Sequence, residues 1–199
     1  MAKSKTIVML VALLMAASVE LFGQGAPKPI VGAKGGINLA NIGGDETDNK
    51  VKLAPHVGMY SEVFFDYFLM LQAEILLSFQ GHAAPSEFDN KLNLTYLNIP
   101  VMARYNLGYN LNVHAGVQFG FLLSAKRIYQ DFESDVKDQF KGMELGLPIG
   151  VGYDLMDRKI NVTVRYIIGL NNISDNSIQT LHNNVFQISA GVMLFRINE

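Results

Sequence analysis

The feature that most limits what this chain can fold into is a two-residue alternation of apolar and polar side chains, repeated in eight segments. In residues 111–123, Leu111, Val113, Ala115, Val117, Phe119, Phe121 and Leu123 share one face, and Asn112, His114, Gly116, Gln118, Gly120 and Leu122 share the other. Successive Cβ atoms point to opposite sides of a strand, so a period of two marks a strand with two different environments. Residues 31–40 place Lys34, Gly36 and Asn38 together, and residues 57–65 set Glu62 on the face of Tyr60 and Phe64. Residues 69–79 carry Gln72, Glu74 and Ser78 on the polar side, and residues 97–105 carry Asn98, Pro100, Met102 and Arg104. Residues 143–153 present Glu144, Gly146 and Pro148, residues 160–168 Asn161, Thr163 and Arg165, and residues 186–194 Gln187, Ser189 and Gly191. Each run is about 10 residues, the length a tilted strand needs to cross a bilayer, and eight is an even number, as single-chain barrels prefer.

The connections alternate too. Asp66-Tyr67, residues 107–110 and residues 155–159 are tight; residues 41–54 and 126–141 are long and polar. Short periplasmic turns opposite long extracellular loops are the arrangement of outer-membrane barrels. Period two alone also fits a soluble barrel, and the polar face separates the two. Facing water, it would be rich in Lys and Glu. Here it is mostly Gly, Asn, Gln, Ser and Thr, in a chain only 17% charged and 49% hydrophobic. Small and amide residues suit the crowded lumen of an eight-stranded barrel. The charges within it balance, Glu62, Glu74 and Glu144 against Lys34, Arg104 and Arg165, and we expect them to pair as a structural luminal network. Tyr67, Tyr105, Tyr109 and Tyr153 lie near the short turns, where a ring with a polar tip fits the membrane interface, and are expected to form an aromatic girdle. Pro100 and Pro148 fall inside strands and lack the N–H of a ladder bond, so a bulge or gap is expected at each.

Residues 1–25 read as a secretory signal peptide: Lys3 and Lys5, an apolar run over residues 7–17, then small residues near Gly23 to Ala26. Residues 26–199 form a single barrel domain in this reading. With no Cys, disulfide scaffolds, Cys-ligated metals and lipoprotein anchoring are excluded. The 16 Lys+Arg against 18 Asp+Glu form no basic stripe, which argues against nucleic acid as a partner.

The segment Gly32-Ala33-Lys34-Gly35-Gly36-Ile37-Asn38-Leu39 resembles the opening strand of the PorT-type outer-membrane β-barrel family. Leu71-Gln72-Ala73-Glu74-Ile75-Leu76, Tyr96-Leu97-Asn98-Ile99-Pro100-Val101, Gly150-Val151-Gly152-Tyr153-Asp154 and the stretch from Arg165 to Ile173 resemble its later strands. The resemblance implies an eight-stranded up-and-down barrel and makes the in-strand prolines a family trait; it implies no activity. A departure is the end of the sequence, Phe195-Arg196-Ile197-Asn198-Glu199, where many barrels carry a terminal aromatic for the insertion machinery; Phe195 is the candidate for that role.

No catalytic constellation stands out, and no cofactor or metal site is expected. His56, His82 and His182 fall near the extracellular loop ends, where a shared rim would make a three-His metal site, although solvated loop histidines are the simpler expectation. His114 reads as a hydrogen-bonded filler. Ser78 and His82 are too far apart along a strand to act together. Three functions remain open: a non-enzymatic barrel acting through its loops in envelope structure or partner binding, a narrow porin-like channel, or a lipid-modifying enzyme. The expected partners are outer-membrane lipid and lipopolysaccharide, the barrel-insertion machinery and an envelope protein.

Overall fold

A computed structural model describes residues 29–44, 50–66, 68–83, 91–129, 132–175 and 180–196. The segment read as a signal peptide, Tyr67 and the final three residues lie outside them. The described strands are β1 (Ile30–Gly44), β2 (Lys52–Phe64), β3 (Leu69–His82), β4 (Lys91–Gly108), β5 (Leu111–Tyr129), β6 (Phe132–Asp135), β7 (Met143–Leu155), β8 (Ile160–Gly169) and β9 (Leu181–Arg196). Eight of them form an all-antiparallel ring, in the order β1-β2-β3-β4-β5-β7-β8-β9. The ring closes where β1 pairs with β9, from Ile30↔Arg196 to Gly44↔Leu181. Closure leaves no stave with an unpaired edge, which is what hydrocarbon demands of a sheet.

Alternation survives in the burial of most of the ring, although Tyr60 to Phe64 at the end of β2 are all buried. In β8, Asn161, Thr163, Arg165 and Ile167 are buried, whereas Val162, Tyr166 and Ile168 are exposed. In β9, Val185, Gln187 and Ser189 turn inward and Phe186, Ile188 and Val192 outward. The staves are longer than the sequence periodicity indicates, reaching 18 residues in β4 and 19 in β5. The surplus rises past the apolar band on the long-loop side, where outward positions of β4 become Asn93 and Thr95. A bulge between Thr95 and Tyr96 marks the transition. The segment 126–141, read from sequence as a loop, contains the end of β5, the short strand β6 folded back on it, and one 3-10 turn at Lys137–Gln139.

At the opposite end the turns are tight. Tyr109 and Asn110 link β4 to β5 with φ of 51° and 65°, the doubly left-handed form that matches strand twist. Between β7 and β8, Met156, Asp157 and Arg158 all have positive φ. Left-handed geometry is unfavourable for residues other than Gly. Contacts of the Arg158 side chain, described below, oppose that cost.

Both prolines interrupt a ladder without shifting its register. Pairing of β3 with β4 stops at Ala73↔Val101 and resumes at Leu76↔Asn98, straddling Pro100. Pairing of β5 with β7 stops at Ala115↔Ile149 and resumes at Gln118↔Gly146, straddling Pro148. On its other side each proline is paired, Pro100 with Gln118 and Pro148 with Ile167. The result is a gap rather than a bulge, because a missing N–H removes a bond without adding a residue.

Candidate functional site

The lumen is filled in layers, and the charged residues expected to pair fall into three separate groups. At the short-turn end, Arg104 is 1% exposed. Its guanidinium donates to Glu62 and, at 2.6 Å, to both oxygens of Asp154. Arg158 enters from the β7–β8 turn, donates to Glu62 at 3.2 Å, and lies 4.7 Å from the Phe64 ring centroid. Burial at this mouth pulls the Arg158 pKa below its ordinary value, against the opposing pull of Glu62, and the group stays cationic. Two carboxylates thus face two guanidiniums. Asp154 and Arg158 were not among the residues expected from sequence; Asp154 follows Tyr153 on the inward side of β7, a signal that extending the alternation by one residue would have caught.

The second group lies in mid-lumen. Glu74 accepts from Lys34 Nζ at 2.7 Å, from both terminal nitrogens of Arg165 at 3.0 and 2.9 Å, and from Gln72 at 2.6 Å. All three charged side chains are essentially inaccessible. Arg165 Nε also donates to His114 at 3.3 Å. A carboxylate between two buried cations has its charge and its lone pairs satisfied, which is the condition for keeping ions in a dry interior.

Glu144 breaks the expected pattern. It forms no ion pair among the described residues; it accepts from Asn183 Nδ2, at 3.3 and 3.2 Å, and the Tyr96 hydroxyl faces it. The expectation that all six charges pair is therefore corrected: Arg104 takes Asp154 in addition to Glu62, and Arg165 shares Glu74 with Lys34. Strand register, rather than charge count, decides who meets whom. An uncharged ladder joins the levels, with Gln187 donating to Asn38 at 3.0 Å, Asn38 to Ser78 at 3.0 Å, and Gln80 to Ser78 at 2.9 Å.

Above Glu144 the lumen becomes apolar, which the sequence reading did not anticipate. Leu92, Leu94, Tyr96 and Leu122 point inward and pack with Val136, Phe140 and Ile173 from the long-loop segments. The inward Leu122, odd on a polar face, belongs to this plug. Asn171 and Asn172 hold Ile173 in place. Asn171 Oδ1 takes the Leu145 N–H at 2.7 Å, and Asn172 Oδ1 takes the N–H groups of Ser174 and Leu181 at 3.0 and 2.9 Å.

The three histidines do not form the rim considered above. His56 is buried in the lumen, 2.9 Å from Ser189 Oγ. No group of three or more His, Asp or Glu capable of holding a metal occurs among the described residues. Of the girdle tyrosines, Tyr105, Tyr109 and Tyr153 are exposed near the short turns, and Tyr105 stacks on Phe68 at 6.1 Å; Tyr67 lies outside the described residues. At that end a cavity of about 490 Å³ opens between Phe64, Phe68, Tyr109, Asp154, Arg158 and Arg196.

An eight-stave ring, apolar outside and filled with polar and charged side chains within, defines a transmembrane β-barrel. The chain belongs to the outer membrane protein β-barrel domain family, whose model matches residues 22–175. Solved structures of two proteins illustrate the shared fold. Neisserial surface protein A superposes with a TM-score of 0.56 at 12% identity, covering 85% of this chain and 99% of that one. Ail, the attachment invasion locus protein of Yersinia pestis, gives 0.54 at 10% identity, covering 84% and 99%. Ail in complex with the heparin analogue sucrose octasulfate gives 0.53 at 11% identity, covering 84% and 100%. No curated protein sequence matches the chain.

Proposed function

We propose that this protein is an exported, non-enzymatic barrel of the Gram-negative outer membrane that works through its extracellular rim, in envelope structure or in binding a partner or ligand. The observation that carries the reading is a lumen blocked above its short-turn mouth, by two buried ion-pair groups, an amide ladder and an apolar plug. A filled interior leaves the rim as the working surface, and function concentrates on such loops. There the upper β5–β6 hairpin presents Tyr129 and Phe132, exposed beside the 2.5 Å Lys126–Glu133 ion pair. The mixed apolar and charged character of this rim suits an envelope protein or a polar ligand better than hydrocarbon. Lipopolysaccharide surrounds the barrel, and the insertion machinery delivers it. The motif segments noted above support reading it as a PorT-type member of the family.

Two measurements test this. Purified barrel in planar bilayers is expected to give no unitary conductance steps; reproducible steps would restore the narrow-channel reading. Cross-linking in the native envelope is expected to capture a partner that a chain lacking residues 130–141 loses while still folding. Identical capture by both chains would remove the rim from the function. Altered envelope lipids on alanine substitution of His56, His82 and His182 would return the lipid-modifying reading.

A further inference from the structure

Arg196 would face lipid if β9 kept its alternation to the end, because the inward row of that strand runs Gln187, Ser189, Gly191 and Met193. One bulge in the ring closure changes this. Gly32 pairs with Met193 but Val31 pairs with Phe195, so Leu194 has no opposite residue and the positions beyond it turn over. Arg196 thus stands opposite Ile30, which is 1% exposed and packs with Phe64 and Met70 inside the short-turn mouth. Directly opposite residues of an antiparallel pair point to the same side. The bulge therefore carries a cation from the lipid-facing row to the lumen, where Arg196 lines the cavity of about 490 Å³ together with Arg158.

The acids at this mouth are already engaged. Glu62 accepts from Arg104 and Arg158, and Asp154 accepts from Arg104 and, at 2.7 Å, from Asn161. Asp66, on the rim of the cavity, accepts the N–H groups of Phe68 and Leu69 at 2.7 Å. The donors are in surplus. Arg196 has no ion pair or side-chain hydrogen bond among the described residues. Arg158 Nη2 is held by Glu62 and the Met70 sulfur, but its Nε has no hydrogen-bond partner and stands 3.7 Å from Asp154 Oδ2. The two guanidiniums are close enough for the charge of Arg196 to act on Arg158. Like charges side by side repel until an anion lies between them. We infer that the cavity between Arg158 and Arg196 binds a phosphate group, either free or carried on a membrane phospholipid headgroup. The guanidinium fork matches phosphate oxygens in both geometry and charge. The depth suits a headgroup: exposed Tyr109, and Tyr105 stacked on Phe68, mark the membrane interface at this end. Phe64, Phe68 and Leu111 give the cavity an apolar wall for the carbons next to the phosphate. Arg158 itself is held at a φ of 69°, a strained conformation of the kind that collects at ligand sites.

The test uses the barrel refolded with isotope-labelled arginine in a maltoside detergent, which carries no phosphorus. The titrants, at equal ionic strength, are inorganic phosphate, dihexanoyl phosphatidylglycerol and the uncharged dihexanoylglycerol. In the wild type, the Nε–H resonances of Arg158 and Arg196 are expected to shift saturably with the two phosphate compounds and to ignore dihexanoylglycerol. Tighter binding of the phosphatidylglycerol assigns a headgroup site; equal or tighter binding of inorganic phosphate assigns a site for the free ion. Arg158→Gln and Arg196→Gln are each expected to weaken binding about tenfold, the loss of one charge-assisted hydrogen bond. No shift with either phosphate compound, an equal shift with dihexanoylglycerol, or unchanged affinity in both variants would overturn the inference. Binding seen only after residues 197–199 are removed would do the same, by showing that the end of the chain, with the Glu199 carboxylate, takes the place of the anion.

Discussion

Replacing Glu74 by Gln tests the reasoning about the lumen most directly. The substitution preserves the shape of the side chain and removes one negative charge that sits within hydrogen-bonding distance of Lys34 and Arg165. All three side chains are at most 1% exposed, so water cannot take the place of the lost carboxylate. Truncating one partner of a buried ion pair costs about 3–5 kcal/mol, chiefly because the other charge is left uncompensated. Here two cations are stranded 40 and 91 residues away in sequence, on β1 and β8, and Gln can still accept one of their bonds. We therefore expect a loss of about 3–5 kcal/mol, measured by urea unfolding in lipid vesicles and read by circular dichroism. A companion variant, Lys34→Met, Glu74→Leu and Arg165→Met together, removes the charges as a set and is expected to fall within about 1 kcal/mol of wild type. A Glu74→Gln barrel that unfolds at the wild-type urea concentration would refute the claim that the mid-lumen charges are mutually dependent. A triple variant as unstable as the single one would refute the assignment of the cost to stranded charge.

Three further outcomes follow from the same structure. Arg104→Ala removes the guanidinium that joins Glu62 to Asp154 and is expected to cost about 3–5 kcal/mol, whereas Arg158→Ala, at the half-open mouth, is expected to cost about 1–2 kcal/mol; equal losses in urea unfolding would contradict the ordering. Pro100→Ala and Pro148→Ala each restore an N–H where a ladder is interrupted, so the amides of residues 100 and 148 should become protected from hydrogen exchange, with stability changed by no more than about 1 kcal/mol. Ile173→Ala opens a cavity in the apolar plug, worth about 2–5 kcal/mol locally. Limited proteolysis near residues 130–142 should accelerate while the ring unfolds at an unchanged urea concentration, and planar bilayers should still show no conductance, because the ion-pair layers lie below the plug.

Much of the barrel was legible before any coordinates, because the information is local. A residue two positions from Arg165 must share its face whatever the rest of the chain does, so Asn161, Thr163 and Arg165 could be read as one inward row. The missing N–H of a proline is equally local, and the ladder gaps at Pro100 and Pro148 follow from it. The identity of partners is not local. Lys34 meets Glu74 because β1, β2 and β3 pair in one register, and Arg165 meets the same carboxylate from across the ring. No count of charges could show that Glu144 would be left with Asn183, or that Asp154 would join Arg104. The plug escaped the sequence reading for a related reason: Val136 and Phe140 lie on a segment without periodicity, and Ile173 acquires its meaning only when the loop folds over the lumen.

What the amino-acid sequence by itself determined is therefore which residues face lipid and which face inward, because side-chain alternation depends only on the backbone of each strand. What the tertiary structure decided is how the inward residues satisfy one another. That outcome depends on the relative heights of eight staves, fixed by the closure of β1 on β9 between residues some 150 positions apart.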